Sequence, residues 1–281
     1  MAALLALVSS VGYGISDFSG GLASRRAPAI AVVQVSNALT LVLALLAVTL
    51  LPGSAYRVAD VAWGLAAGTV GLIGVVLLYR GLAIGPMSVV APLTAVLSAI
   101  VPVLVGLLRG ERPGLLSLAG VGLAVPAIAL IGRQSEGRLG QPVSRGAVLS
   151  ALAAGVSFGG FYVLLAQTGA NGGAWPQVGQ RAATVGILLG LTALAVRRGT
   201  PALPHGRSLL LAILAGVTDF VANLTYVLAT HRGLLALVAV LSSLYPATTL
   251  LLARTMLRER LAREQVGGLL LAAVAVALIA S

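Results

Sequence analysis

The chain alternates between long apolar stretches and short polar ones. Ten of the apolar stretches are bounded by Arg, Pro or Gly and are long enough to cross a bilayer as helices. The predicted spans are 2–22, 29–51, 60–82, 86–108, 115–132, 146–167, 175–196, 208–229, 233–254 and 263–280. Because the connections are short, successive spans are expected to be antiparallel neighbours. The pattern predicts an all-α polytopic membrane protein.

Composition supports this prediction and excludes several classes of protein. Hydrophobic residues make up 59% of the chain and charged residues 9%, whereas soluble domains carry about 25% charged residues. The net charge of +11 comes from arginines clustered between the apolar stretches, which fits loops that face anionic lipid rather than nucleic acid. With no cysteine and no phosphate-binding loop, we expect no metal site and no cofactor.

The two halves of the chain are related in sequence. Glu111-Arg112 and Glu259-Arg260 each follow an apolar stretch and precede the last span of their half. An ungapped alignment of 111–131 with 259–279 gives nine identities in 21 positions. We therefore predict a first five-helix repeat over 1–132, a connecting loop over 133–145 and a second repeat over 146–281. Five helices is an odd number, so the second repeat should insert upside down, and the two inverted repeats should enclose a central cavity.

This arrangement resembles the drug/metabolite transporter superfamily, and most closely its EamA-like family. The resemblance rests on the ten spans, the two halves and the Gly110–Arg112 and Arg258–Arg260 segments. It implies a transporter of metabolites, amino acids or lipophilic cations, often an exporter. The sequence departs from the family pattern at Gly12-Tyr13-Gly14, where Trp-Gly is common, and at Gln34 and Asn37, where a basic residue is frequent. Both departures leave the substrate open.

Only three charged residues lie well inside the predicted spans: Asp17, Arg181 and Asp219. A charge at the bilayer centre costs on the order of 3 kcal/mol, so these groups should face a watery cavity or one another. In one interpretation, Asp17 or Asp219 pairs with Arg181 and fixes the register of the helices. In the other, at least one carboxylate exchanges protons or contacts the substrate.

Polar and aromatic neighbours of these charges recur at helical spacing. Asp219, Asn223 and Tyr226 share one face of the eighth span, and Ser10, Tyr13 and Asp17 share one face of the first. The seventh span carries a similar stripe that begins at Gln177. The predicted substrate-binding or proton-coupling residues are Tyr13, Asp17, Gln34, Asn37, Tyr79, Phe158, Tyr162, Gln180, Arg181, Asp219, Asn223 and Tyr226.

Two further groups of residues are predicted to organise the helices. Glu111, Arg112, Glu259 and Arg260 lie at helix ends, where they should cap helices or act in gating. Glycines at four-residue spacing, among them Gly64 and Gly68 in the third span and Gly186 and Gly190 in the seventh, should let helix backbones approach closely.

These features together predict a secondary active transporter and not an enzyme. Its substrate is a small metabolite (an amino acid, an amine or a lipophilic cation), exported by alternating access, with coupling to protons left open. The alternatives are a non-transporting membrane scaffold or lipid-related factor, and an intramembrane serine protease built on the G-x-S-x-G pattern of Gly155–Gly159. The protease alternative lacks a nearby histidine base.

The distribution of arginine gives an orientation in the membrane. Connections after odd-numbered spans hold 13 arginines and those on the other side hold four. The positive-inside rule then places both termini on the outer side of the cell (inner) membrane. The expected partners are the lipid bilayer, a small-molecule substrate and protons, and a monomer is expected because the two repeats already form a pseudo-dimer.

Overall fold

The computed structural model describes residues 1–24, 26–50, 55–84, 87–131, 144–196, 203–257 and 263–280. All regular secondary structure in these residues is helical. The helices are α1 (Ala2–Ser24), α2 (Ala29–Leu50), α3 (Val58–Ile84), α4 (Met87–Leu108), α5 (Leu115–Ile131), α6 (Arg145–Leu165), α7 (Trp175–Val196), α8 (Gly206–Thr230), α9 (Leu235–Ser242), α10 (Tyr245–Leu257) and α11 (Arg263–Ala280).

The predicted all-helical membrane fold is confirmed, with one difference in the ninth span. That span forms two helices, α9 and α10, separated at Ser243 and Leu244. Pro246 is the second residue of α10 and has no amide hydrogen to donate back into α9, so the helix is interrupted there. By length and composition, five of the described helices can cross a membrane: α1, α2, α3, α6 and α8.

Small residues fill the interior of the bundle and large apolar ones cover its outside. Many of the buried apolar side chains are alanines, whereas leucines such as Leu4, Leu108 and Leu115 are exposed. This distribution suits a protein whose outer surface meets lipid. Apolar side chains on such a surface are already out of water, so burying them would gain little, and the helices associate through close packing of small residues instead.

The packing between the two halves follows a regular scheme. Helix α1 packs against α8 as α6 packs against α3, and α2 packs against α8 as α7 packs against α3. The pairs α2 with α7, α4 with α9, and α5 with α11 join corresponding helices of the two halves. If each helix is replaced by its counterpart in the other half, the same set of helix pairs is obtained. The inverted orientation of the repeats stays a prediction.

Glycines determine how closely α3 and α7 approach. A Cβ atom at Gly64 would collide with the backbone oxygen of Pro176, and one at Gly68 would collide with that of Gln180. Backbone therefore packs on backbone here, as predicted for these two positions. The prediction is wrong for Gly186 and Gly190, where a Cβ atom would meet nothing within 4 Å in the described residues.

Candidate functional site

Arg181 of α7 lies at the centre of a buried polar cluster. Arg181 is 6% exposed, and the two terminal nitrogens of its guanidinium bind side chains on two other helices. Nη1 donates to Asn37 Oδ1 at 2.6 Å, and Nη2 forms an ion pair with Asp219 Oδ2. Asn37 presents its oxygen to the guanidinium, while its Nδ2 donates to the backbone oxygen of Val33 at 2.8 Å. The guanidinium thus joins α2, α7 and α8.

Asn223, one turn after Asp219 on α8, joins a second set of helices. Its fully buried side chain accepts a hydrogen bond from the hydroxyl of Tyr13 at 3.0 Å and one from Gln180 Nε2 at 3.4 Å. Its own Nδ2 donates to the backbone oxygen of Asp219 at 2.9 Å, which fixes the orientation of the amide. This asparagine therefore links α1, α7 and α8 beside the ion pair.

The carboxylate of Asp17 differs from that of Asp219. Asp17 is exposed in the structure and lies one turn after Tyr13 on the same face of α1. It interacts electrostatically with Asp219 and with the hydroxyls of Tyr162 and Tyr245. Among the residues that the structure describes, it has no hydrogen bond and no ion pair. Asp17 is therefore the unpaired carboxylate of the cluster.

Aromatic rings surround this side of the cluster. The Tyr13 ring meets Tyr162 edge-on at 6.1 Å and Tyr245 at 6.4 Å between centroids. Tyr162 in turn packs against Tyr226 at 4.8 Å and Phe161 at 5.4 Å. The hydroxyl of Tyr226 donates to the backbone oxygen of Tyr162 at 3.1 Å, which fixes the Tyr226 ring against α6.

Several buried polar atoms on α2 and α7 have no hydrogen-bond partner among the described residues. Such atoms are rare in folded proteins and commonly bind water or a ligand. They are Gln34 Oε1, both amide atoms of Gln177, Gln180 Oε1 and Arg181 Nε. The cluster therefore has unused donors and acceptors as well as an unpaired carboxylate.

The structure brings most of the predicted site residues into this one cluster. Phe158 is an exception, because its ring packs against Gly74 at the contact between α3 and α6. Residue 79 lies in α3, but the Tyr79 side chain is outside the described residues. The predicted pairing of an intramembrane aspartate with Arg181 is present for Asp219.

Sequence reasoning missed Tyr245 and Phe161. Helical spacing could not place Tyr245 on the face that carries other site residues, since the helix breaks just before it. Pro246 was the one sequence feature that indicated this break. The Gly155–Gly159 segment lies inside α6, where Ser157 faces α3; a strand–turn–helix context is lacking there.

Glu111, predicted at a helix end, binds outside the cluster. Its carboxylate accepts hydrogen bonds from the backbone nitrogens of Leu235 at 2.7 Å and Ala236 at 3.0 Å. It therefore caps α9, a helix of the other half. Arg112 is exposed, and Glu259 and Arg260 lie outside the described residues.

Comparisons with known proteins assign the chain to a family. The model of the EamA-like transporter family matches residues 1–133 and 145–281. The chain belongs to the EamA-like transporter family. This EamA-like protein is thus a multi-pass membrane protein of the drug/metabolite transporter superfamily, in which two repeats form one chain.

Solved structures support the fold of this EamA-like protein. At least 28 chains of known structure resemble it. The alignment with one crystal structure covers 99% of this chain and 95% of the other chain, with a TM-score of 0.76 and 19% sequence identity. At this identity the similarity supports the fold alone. No curated protein matches the sequence.

Proposed function

We propose that this EamA-like protein is a secondary active transporter that exports a small solute carrying a positively charged amine. The solute binds in the polar cluster between the halves, which open alternately to the two sides of the membrane. Family membership supports the general activity. The cluster supports the choice of solute.

The unpaired carboxylate of Asp17 is the observation that carries this proposal. Arg181 is already neutralised by Asp219, so the three intramembrane charges leave one negative charge on Asp17. An amine can supply the missing counter-charge. Tyr13 lies one turn from Asp17 on α1, and its ring packs against those of Tyr162 and Tyr245; aromatic faces attract cations once water is excluded.

The unused hydrogen-bonding atoms on α7 narrow the class of solute. A purely lipophilic cation could not satisfy the amide of Gln177, the oxygen of Gln180 or the Nε of Arg181. A solute with a carboxylate or hydroxyl group could bind these atoms while its amine binds Asp17. Amino acids and small polar amines therefore fit the cluster better than large apolar cations.

The same carboxylate gives a simple route to proton coupling. If Asp17 holds either a proton or the amine, but not both, export of the solute is exchanged for entry of a proton. The titratable groups that interact with it are Asp219, Tyr13, Tyr162 and Tyr245. The charge of Asp219 is balanced by Arg181.

The experiment is a binding screen followed by a transport assay. Purified protein is screened by thermal shift against amino acids, small amines and quaternary cations, and the best stabiliser is then assayed in proteoliposomes. Asp17→Asn should lower pH-gradient-driven transport about a hundredfold, as expected for the loss of a desolvated charge contact. Glu264→Gln removes an exposed carboxylate at the start of α11 and should leave transport unchanged.

Two outcomes would contradict the proposal. Equal transport by Asp17→Asn and the unmodified protein would show that this carboxylate does not contact the solute. A screen in which none of these compounds stabilises the protein would favour the non-transporting scaffold.

We also propose that the protein is a monomer in the inner membrane with both termini outside, as the arginine bias predicts. A C-terminal reporter that is active only in the cytoplasm should then give no signal. A strong signal would show that the termini lie in the cytoplasm and would contradict this orientation.

A further inference from the structure

Four connections and the N-terminus meet at one end of the helix bundle, here called the N-terminal end. They are the connections that follow α2, α4, α6 and α8. The ring nitrogen Nε2 of His231, after α8, lies 2.6 Å from the backbone oxygen of Thr168, after α6. A Cβ atom at Gly233 would lie 2.6 Å from Ala2 Cβ. The connections therefore form one continuous layer of contacts.

Glu111 ties the two halves together in this layer. The chain reverses after α4 at Gly110, which has a φ of +86°, a value that favours glycine. The reversal lays the Glu111 carboxylate over Gly106, where a Cβ atom would collide with it. From there it reaches the first amides of α9, whose own N-cap residue, Leu234, has no side chain able to cap.

Asp60 makes a second tie between the halves. It lies in the first turn of α3 and is 2% exposed. Its Oδ1 accepts a hydrogen bond at 2.7 Å from the backbone nitrogen of Gly169, in the turn between α6 and α7.

Further contacts follow the tie that Asp60 makes. The backbone nitrogen of Ala55 donates to the oxygen of Asn171 at 2.9 Å. The ring of Tyr56 packs edge-on against Trp175 at 4.7 Å. The start of α3 is thus joined to the start of α7 by backbone, aromatic and carboxylate contacts.

We infer that Asp60 and Glu111 are latch residues that hold the N-terminal end of the bundle closed. This inference rests on the proposed function, because alternating access requires the two halves to separate at each end in turn. Both carboxylates belong to the first half and both bind backbone amides of the second. Neither bond can survive if the halves separate at this end.

The position of Glu111 connects the latch to the solute site. Glu111 caps α9, whose buried Val238 belongs to the same apolar core as Tyr226, and Tyr226 packs on Tyr162 next to the polar cluster. Ser10, one turn before Tyr13 on α1, is 4% exposed. It lies on the same face as Tyr13, toward the N-terminal end, so a reagent should reach it from that end only when the latches open.

The test measures access to Ser10 and needs no solute. The chain has no cysteine, so Ser10→Cys is a clean reporter for a membrane-impermeant maleimide. Labelling is compared in right-side-out and inside-out membrane vesicles, and Ala170→Cys, exposed in the turn after α6, identifies the side that carries the N-terminal end.

Adding Glu111→Gln or Asp60→Ala should raise the labelling rate of Ser10→Cys about tenfold from that side, the change expected when one charge-assisted hydrogen bond is lost. Glu264→Gln is the matched control and should leave the rate unchanged. If Glu111→Gln does not fold, Asp60→Ala carries the test alone.

Two results would overturn the latch. One is an unchanged labelling rate in folded Glu111→Gln and Asp60→Ala proteins. The other is faster labelling from both sides, which would indicate a general loosening of the bundle. Failure of the proposed function looks different, since it appears in the transport of Asp17→Asn and leaves maleimide labelling unaffected.

Discussion

The polar cluster and the N-terminal end each contain two carboxylates, but these differ in the kind of partner they bind. In the cluster, Asp219 binds the side chain of Arg181, and Asp17 has no partner in the described residues. At the N-terminal end, Asp60 and Glu111 bind backbone amides. A side chain can exchange one partner for another by rotating, whereas a backbone amide moves only with its helix. The cluster is therefore suited to binding a solute, and the end is suited to holding a conformation.

The largest effect is expected from a covalent lock at the N-terminal end. One backbone hydrogen bond of 2.9 Å joins Ala55 to Asn171 and both residues are exposed, so their Cα atoms lie roughly 5–6.5 Å apart, within disulfide range. In an Ala55→Cys/Asn171→Cys protein, oxidation should abolish transport in proteoliposomes, and reduction should restore it. Each single cysteine variant serves as the control. Transport that persists with the disulfide formed would mean that this end does not open.

A smaller effect is expected when the ion pair of the cluster is broken. Asp219→Asn leaves the Arg181 guanidinium buried without its counter-charge, which should lower the free energy of unfolding by about 3 kcal/mol. Adding Arg181→Gln should recover most of this loss, because the charge is removed as well. Thermal unfolding in detergent checks both variants. If the double variant is no more stable than Asp219→Asn, the pair does not balance charge as inferred.

The smallest effect concerns the contact that joins the two regions. Helix α3 carries Asp60 and packs through Gly68 against α7, which carries Arg181. Gly68→Ala should force the two backbones apart and cost about 1–3 kcal/mol of stability. Gly186→Ala adds the same methyl group where no described residue lies within 4 Å and should leave stability unchanged. Equal melting temperatures for the two variants would contradict the close approach.

The fold was predictable from hydropathy because each span is a continuous apolar stretch, and its length can be read directly from the sequence. The stripe of Asp219, Asn223 and Tyr226 was predictable as well, since residues within one continuous helix keep their relative direction. Tyr245 was not, because the helix breaks two residues earlier and its register is lost. The role of Asp60 was also hidden, because its partner Gly169 lies 109 residues away and a backbone amide leaves no trace in the sequence.

The dependence of α9 on Glu111 has a consequence for how the protein is made. Seven of the eight residues of this helix are buried, and it has no N-terminal cap of its own. During synthesis it emerges long after Glu111 has entered the membrane, so its first amides find an acceptor already in place. A second half expressed alone would lack that acceptor. We expect it to be degraded unless the first half is supplied by co-expression.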